Sequence, residues 1–139
     1  MKKIVYTLAI IMALVFTGMQ STNAQTCVDV YFIECPDECT TQEDCVYRAY
    51  YSIDDTCTGL THLCDGYVQQ ACNQFTGILS LTCDGCTDET HNPCYRVSIL
   101  LRKICIGPGG SHVICEGSDI GYFTCEDLIN CVPMDITWN

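Results

Sequence analysis

Basic side chains are scarce in this 139-residue sequence: six Lys and Arg stand against 17 Asp and Glu, a formal net charge of −11. Two of the six, Lys2 and Lys3, sit in a leader-like N-terminus; without it four cations face the same 17 carboxylates, a net charge of −13. A surface of that sign repels phosphate backbones, which are bound through Lys and Arg, and gains nothing from anionic lipid. Nucleic acid and membrane surfaces are therefore not expected as partners. Histidine is as sparse, with only His62, His91 and His112. There is no Gly-x-Ser-x-Gly elbow, and Ser111 and His112 are adjacent, so on a strand they point to opposite faces and do not pair as nucleophile and base. Asp54-Asp55 and Asp88-Glu89 are neighbours along the chain, unlike the across-cleft carboxylates of glycoside hydrolysis. Beyond the leader no apolar run is long enough to span a bilayer, and no Asn-x-Ser/Thr sequon or Pro-, Ser- or Gly-rich linker occurs.

The leader itself is informative. Lys2 and Lys3 form a positive n-region, Ile4 to Phe16 is an almost unbroken apolar core, and Thr22-Asn23-Ala24 places small residues where a signal peptidase reads. This predicts a signal peptide over residues 1–24 and a secreted, extracellular product, or a periplasmic one if the source is bacterial. Cys27 follows Gln25-Thr26 and not a Leu-x-Gly/Ala run, which argues against a lipoprotein. The mature chain, 25–139, is read as a single cysteine-rich domain, with a subdomain border near residue 93 as the alternative.

All 14 cysteines lie in those 115 residues: Cys27, Cys35, Cys39, Cys45, Cys57, Cys64, Cys72, Cys83, Cys86, Cys94, Cys105, Cys115, Cys125 and Cys131. An even number in an exported chain predicts seven disulfides, which compensate for the modest core available at this size. Connectivity is not readable from spacing.

Periodicity predicts a small disulfide-rich fold, mainly β with one or two short helices. Val28, Val30 and Phe32 alternate as a strand ending at Cys35-Pro36. Thr40 and Glu43 have capping-box spacing ahead of Cys45 to Tyr50, which favours a short helix there, although Tyr47, Ala49, Tyr51 and Ile53 also alternate as a strand would. Asp54-Asp55-Thr56 reads as a turn, and Tyr67 to Phe75 as a second short helical candidate. Tyr95 to Cys115 reads as a hairpin turned by Gly107-Pro108-Gly109-Gly110. Thr124 with Asp127 caps a one- to two-turn helix stopped before Pro133, and Met134, Ile136 and Trp138 alternate as a terminal strand. Cys64-Asp65-Gly66, Cys83-Asp84-Gly85 and Cys115-Glu116-Gly117 look like tight turns after bridged strands.

Two cysteine motifs invite metal or redox readings. Cys83-x2-Cys86-x4-His91-x2-Cys94 resembles a zinc knuckle, but the last spacing is two residues where that pattern has four. Its neighbours Asp84, Asp88 and Glu89 are acidic, and an oxidising compartment consumes thiols, so disulfides and no metal are expected. The Cys83-x-x-Cys86 pair lacks the βαβ context of a thioredoxin-like site.

The reading that follows is a secreted, monomeric, disulfide-stabilised binding or structural module, inhibitor- or toxin-like, acting on an unidentified protein or extracellular ligand, without cofactor or enzymatic activity. Its candidate binding loop is Gly107, Pro108, Gly109, Gly110 and Ser111 at the hairpin tip, with Ile106 beside it, pre-organised so that little entropy is lost on binding. The alternative is a small secreted hydrolase or calcium-dependent enzyme built on Asp84, Asp88 and Glu89 near His91. A coat or matrix component is a third reading.

Overall fold

The computed structural model describes residues 25–36, 44–59, 63–86 and 91–139. Residues 1–24, where the signal peptide is predicted, and Cys39 lie outside them. Apolar–polar alternation dominates the described segments and yields seven strands: β1 (Gln25–Phe32), β2 (Cys45–Asp55), β3 (Cys64–Ala71), β4 (Ile78–Asp84), β5 (Tyr95–Gly107), β6 (Gly110–Phe123) and β7 (Val132–Ile136). Helical structure among the described residues is limited to a 3-10 turn at Cys72–Gln74 and one short helix, α1 (Cys125–Ile129). The chain has the small, disulfide-rich, mainly β fold that its periodicity predicts.

The strands form two sheets, ordered β4-β1-β7 and β3-β2-β5-β6. The chain leaves β1 for the β2–β3 hairpin in the second sheet, returns to β4 beside β1, then crosses back to β5 beside β2. These are the crossing connections of a Greek-key sandwich. After β6 it crosses once more to β7, which runs parallel to β1. Alternate residues of both sheets point inward. Val28, Val30, Leu79, Leu81 and Met134 from one sheet share a buried cluster with Tyr47, Ala49, Val97, Ile99 and Leu101 from the other.

Several sequence expectations appear directly: the strand ending before Cys35-Pro36, the long β5–β6 hairpin, and the terminal strand with Met134 and Ile136 buried. The capping box on α1 is complete. Thr124 Oγ1 accepts the Asp127 N–H at 3.1 Å, and the Asp127 carboxylate accepts the Thr124 N–H at 2.9 Å, which holds that carboxyl below the usual Asp range.

Two helix expectations need correction, and the turn expected at Asp54-Asp55-Thr56 begins only at Thr56, since β2 runs through Asp55. The segment favoured as a helix after Thr40 and Glu43 is instead β2, paired along its whole length with β5 and from Val46 to Ile53 with β3. A capping signal fixes only one end of an element, whereas cross-strand pairing and burial of Tyr47, Ala49 and Ile53 act along all of it. The candidate helix from Tyr67 to Phe75 is the edge strand β3 followed by the 3-10 turn. Gln69, Gln70 and Ala71 suit a helix intrinsically, but their backbone groups are taken by the ladder to β2.

Six bridges among the described residues staple the sandwich: Cys27–Cys131, Cys35–Cys115, Cys45–Cys105, Cys57–Cys94, Cys64–Cys83 and Cys86–Cys125. Cys72 is disulfide-bonded as well, and no described cysteine is free. Cys64–Cys83 ties the edge of one sheet, β3, to the edge of the other, β4. Cys35–Cys115 ties the residues after β1 to β6, again from one sheet to the other. Where β2 ends, the buried Asp55 carboxylate accepts the N–H groups of Cys57 and Thr58, both at 3.0 Å. Burial pushes that carboxyl up, but the bonds from Thr58 and Cys57 outweigh it and hold it below the ordinary Asp value.

The C-terminal residues close the side of the sandwich opposite the β3–β4 bridge. The Asn139 N–H donates to the Glu116 carbonyl at 3.0 Å, and the Trp138 indole N–H donates to the Ile33 carbonyl at 2.9 Å. Gly117 permits this approach, because a Cβ there would collide with the Thr137 carbonyl and the Ile136 side chain. The three acidic-Gly pairs therefore differ. Gly85 does turn the chain, with φ of 66°, whereas Gly66 and Gly117 lie inside strands, where the missing side chain makes room for Tyr51 and Thr137.

Candidate functional site: the clamped hairpin tip and the outer sheet face

The β5–β6 hairpin runs past the end of β2, whose first residue, Cys45, pairs with Cys105. The expected loop is a tight reversal: Gly107 pairs with Gly110, and Pro108-Gly109 makes the turn. Proline fixes the first corner, and Gly110 supplies the positive φ, 108°, that a side chain would resist. His112 lies against the turn, its Nε2 3.8 Å from where a Gly109 Cβ would be. Ser111 pairs opposite Ile106 and His112 opposite Cys105, successive positions that face opposite ways.

Both legs of the tip are held by disulfides, and to different parts of the molecule. Cys105 on β5 is bonded to Cys45 at the start of β2, and Cys115 on β6 to Cys35 beyond β1. Between the clamps lie the nine residues from Ile106 to Ile114, and three of them are large apolar side chains in solvent: Ile106 at 61 %, Val113 at 51 % and Ile114 at 39 % exposure. A register shift between Lys103 and Ile104 leaves Ile114 as the extra residue of a bulge. The shift aims Val113, like Ile104 opposite it, away from the core. The run Gly107-Pro108-Gly109-Gly110 located the turn; the bulge and the clamps required the pairing.

The second feature was not legible as a site in the sequence. On the outer face of the four-stranded sheet the register stacks four rows. They are Gln69-Arg48-Arg102-Glu116, Tyr67-Tyr50-Leu100-Ser118, Asp65-Ser52-Ser98-Ile120 and Asp54-Arg96-Tyr122. All three arginines of the chain are on this face. Arg48 bonds Gln69 Oε1 through Nε and Nη2 at 3.1 and 2.9 Å, and its guanidinium lies 4.7 Å from the Tyr67 ring centre. Arg102 pairs with Glu116 at 2.6 Å. The signal that could have found the face is the even spacing of Arg96, Ser98 and Arg102 between the buried Val97, Ile99 and Leu101 of the same strand.

Set against known proteins, the chain matches no family, no curated protein and no solved structure. Its own geometry carries the functional argument.

The remaining sequence candidates are dispersed. Cys83, Cys86 and Cys94 belong to three separate bridges, to Cys64, Cys125 and Cys57, so the zinc-knuckle and Cys-x-x-Cys ligand sets are divided. Asp84 ends β4 in solvent and His91 is exposed, while Asp88, Glu89 and His62 lie outside the described residues. Among the described residues no group of three His, Cys, Asp or Glu could hold a metal. Trp138 is half-buried against Phe32 and Tyr47, with ring centres 6.0 Å from each. No helix of the described residues is long and apolar enough to cross a membrane.

Proposed function

We propose that this chain is an extracellular binding module that captures a protein partner through the β5–β6 hairpin tip, in the manner of an inhibitor or a toxin-like effector. The observation that carries the reading is the double clamp. Cys45–Cys105 and Cys35–Cys115 hold the two legs of a tip that presents Ile106, Val113 and Ile114 to solvent. Ordering a flexible loop of rotamer-rich side chains costs affinity, and a loop ordered by covalent anchors before binding avoids that cost. Two exposed isoleucines and a valine beside a rigid turn offer apolar surface to a complementary pocket, and in an interface a few central, well-packed residues carry most of the free energy. The acidic remainder of the surface favours a basic partner and accelerates its approach.

The test is a variant with Ile106, Val113 and Ile114 all replaced by serine, compared with the native chain as immobilised bait in the extracellular fluid of its source. Retention of a partner by the native chain and at least a tenfold loss by the variant, with unchanged circular dichroism, is the expected result. Equal retention by both baits contradicts the proposal.

A further inference from the structure

The outer face of the four-stranded sheet, separate from the hairpin tip, has a chemistry of its own. Between the Tyr50–Leu100 pair and the row of Arg96 and Tyr122 lies an open trough of about 290 Å³, lined by Tyr50, Ser52, Ser98, Leu100, Ser118 and Ile120. Ser52 and Ser98 are directly opposed, and Ser118 is opposite Leu100 one row away. None of the three hydroxyls is hydrogen-bonded to another described residue. Tyr50, Leu100 and Ile120 are its apolar walls, and the exposed Tyr67 and Tyr122 stand in the rows on either side. Arg48 and Arg96 stand on opposite sides of the trough, about 20 Å apart along the strands at roughly 3.3 Å per residue. Neither meets a carboxylate at ion-pair distance among the described residues, and the buried Arg96 Nε has no hydrogen-bond partner among them. In a chain with a net charge of −11 this face is locally balanced, with Arg48, Arg96 and Arg102 against Asp54, Asp65 and Glu116, and its cationic end is the Arg48–Arg102 pair.

We infer that this trough binds a short carboxylate-bearing oligosaccharide. Each feature has a counterpart in that ligand class. Sugar hydroxyls both donate and accept, as the three serine hydroxyls do. The apolar C–H faces of a pyranose fit the tyrosine, leucine and isoleucine walls, and a guanidinium takes a carboxylate in a two-point, charge-assisted contact. A peptide suits the trough less well. It lies over the middle of the sheet, where the ladders of β2 to β5 and β5 to β6 already use the backbone groups that an added strand needs. Net repulsion from the acidic remainder of the molecule disfavours a long polyanion and leaves a short one, screened beyond about 8 Å at physiological salt.

The experiment is an NMR titration of the full mature chain, disulfides intact, with tetragalacturonate, a hyaluronan tetrasaccharide and sialyllactose. Controls are methyl-esterified tetragalacturonate and tetraglutamate. At least one acidic glycan is expected to shift the amides of Ser52, Ser98, Ser118 and Ile120 in a saturable way. Its affinity should fall at least tenfold in the Arg48→Gln, Arg96→Gln double variant, and for tetragalacturonate on methyl esterification as well. Ser98→Val, which keeps the charges, should weaken it severalfold. Binding by none of the three glycans, shifts confined to the hairpin tip, equal binding by the double variant, or equal binding of tetraglutamate would each overturn the inference. Loss of partner capture at the tip with glycan binding retained, or the converse, separates the two sites.

Discussion

Replacing Cys35 and Cys115 together by alanine is expected to lower the free energy of unfolding by about 3 to 4.5 kcal/mol, more than any other single bridge between the sheets. In the chain-entropy treatment a bridge stabilises by restricting the unfolded chain, and the loop it closes sets the size. Cys35–Cys115 spans 80 residues and Cys64–Cys83 spans 19. The same treatment gives about 4.5 kcal/mol for the first and about 3 kcal/mol for the second, upper figures because the remaining bridges already shorten the free loops. Denaturant unfolding of the two double variants, each with the other bridges intact, measures the difference. The order should be Cys35/Cys115 below Cys64/Cys83 below the native chain. An inverted order would mean that local strain or residual structure, and not loop length, sets the contribution of each bridge. The Cys35/Cys115 variant has a second expected consequence: one leg of the tip is released while the Cys45–Cys105 clamp stays, so partner capture weakens more than the loss of stability alone would produce.

The other large effect belongs to Tyr47. Its ring is fully buried, with centres 5.2 Å from Phe32, 5.4 Å from Phe75 and 6.0 Å from Trp138, so it joins residues of β1, the loop before β4, and the C-terminal segment. Its hydroxyl accepts the Cys35 N–H at 3.2 Å. Burial raises the phenol above its ordinary value, offset in part by that backbone donor and reinforced by the nearby Glu34. Tyr47→Ala removes the ring and leaves a void at the junction, at a cost of about 3 to 5 kcal/mol. Tyr47→Phe keeps the packing and leaves the Cys35 N–H short of an acceptor, at a cost of about 1 to 2 kcal/mol. Thermal or denaturant unfolding of the two variants separates packing from hydrogen bonding. Comparable losses for both would show that the hydroxyl, and not the ring, is what the core depends on.

How much of this architecture the sequence discloses depends on how local each determinant is. The β5–β6 hairpin was legible because its strands are adjacent in the chain and its turn carries Pro108, Gly109 and Gly110, the residues such a reversal needs. The α1 cap was legible for the same reason, since Thr124 and Asp127 interact within one turn. β2 was misread because its strongest local signal, the Thr40–Glu43 spacing, concerns a helix start, while its pairing partners, β3 and β5, come later in the chain. β3 is an edge strand with little apolar alternation, so only its ladder to β2 identifies it. The bridges were expected as a set, but which cysteine meets which follows from topology: Cys35 and Cys115 are 80 residues apart and meet because β1 and β6 sit in facing sheets. The hairpin tip was found as a turn from its glycines, whereas its double anchoring and the outward swing of Val113 required the register. The arginine–serine face was missed because its residues come from four strands and share a surface only once those strands are side by side.

The most direct test of the account is disulfide mapping of the native protein: proteolysis without reductant, with free thiols blocked, followed by mass spectrometry of the linked peptides. The account predicts that the peptide containing Cys105 is joined to the one containing Cys45, and the peptide containing Cys115 to the one containing Cys35. A Cys105–Cys115 link, closing the tip on itself and leaving it unanchored to β2 and to the other sheet, would contradict both the fold and the pre-organised tip on which the proposed function rests.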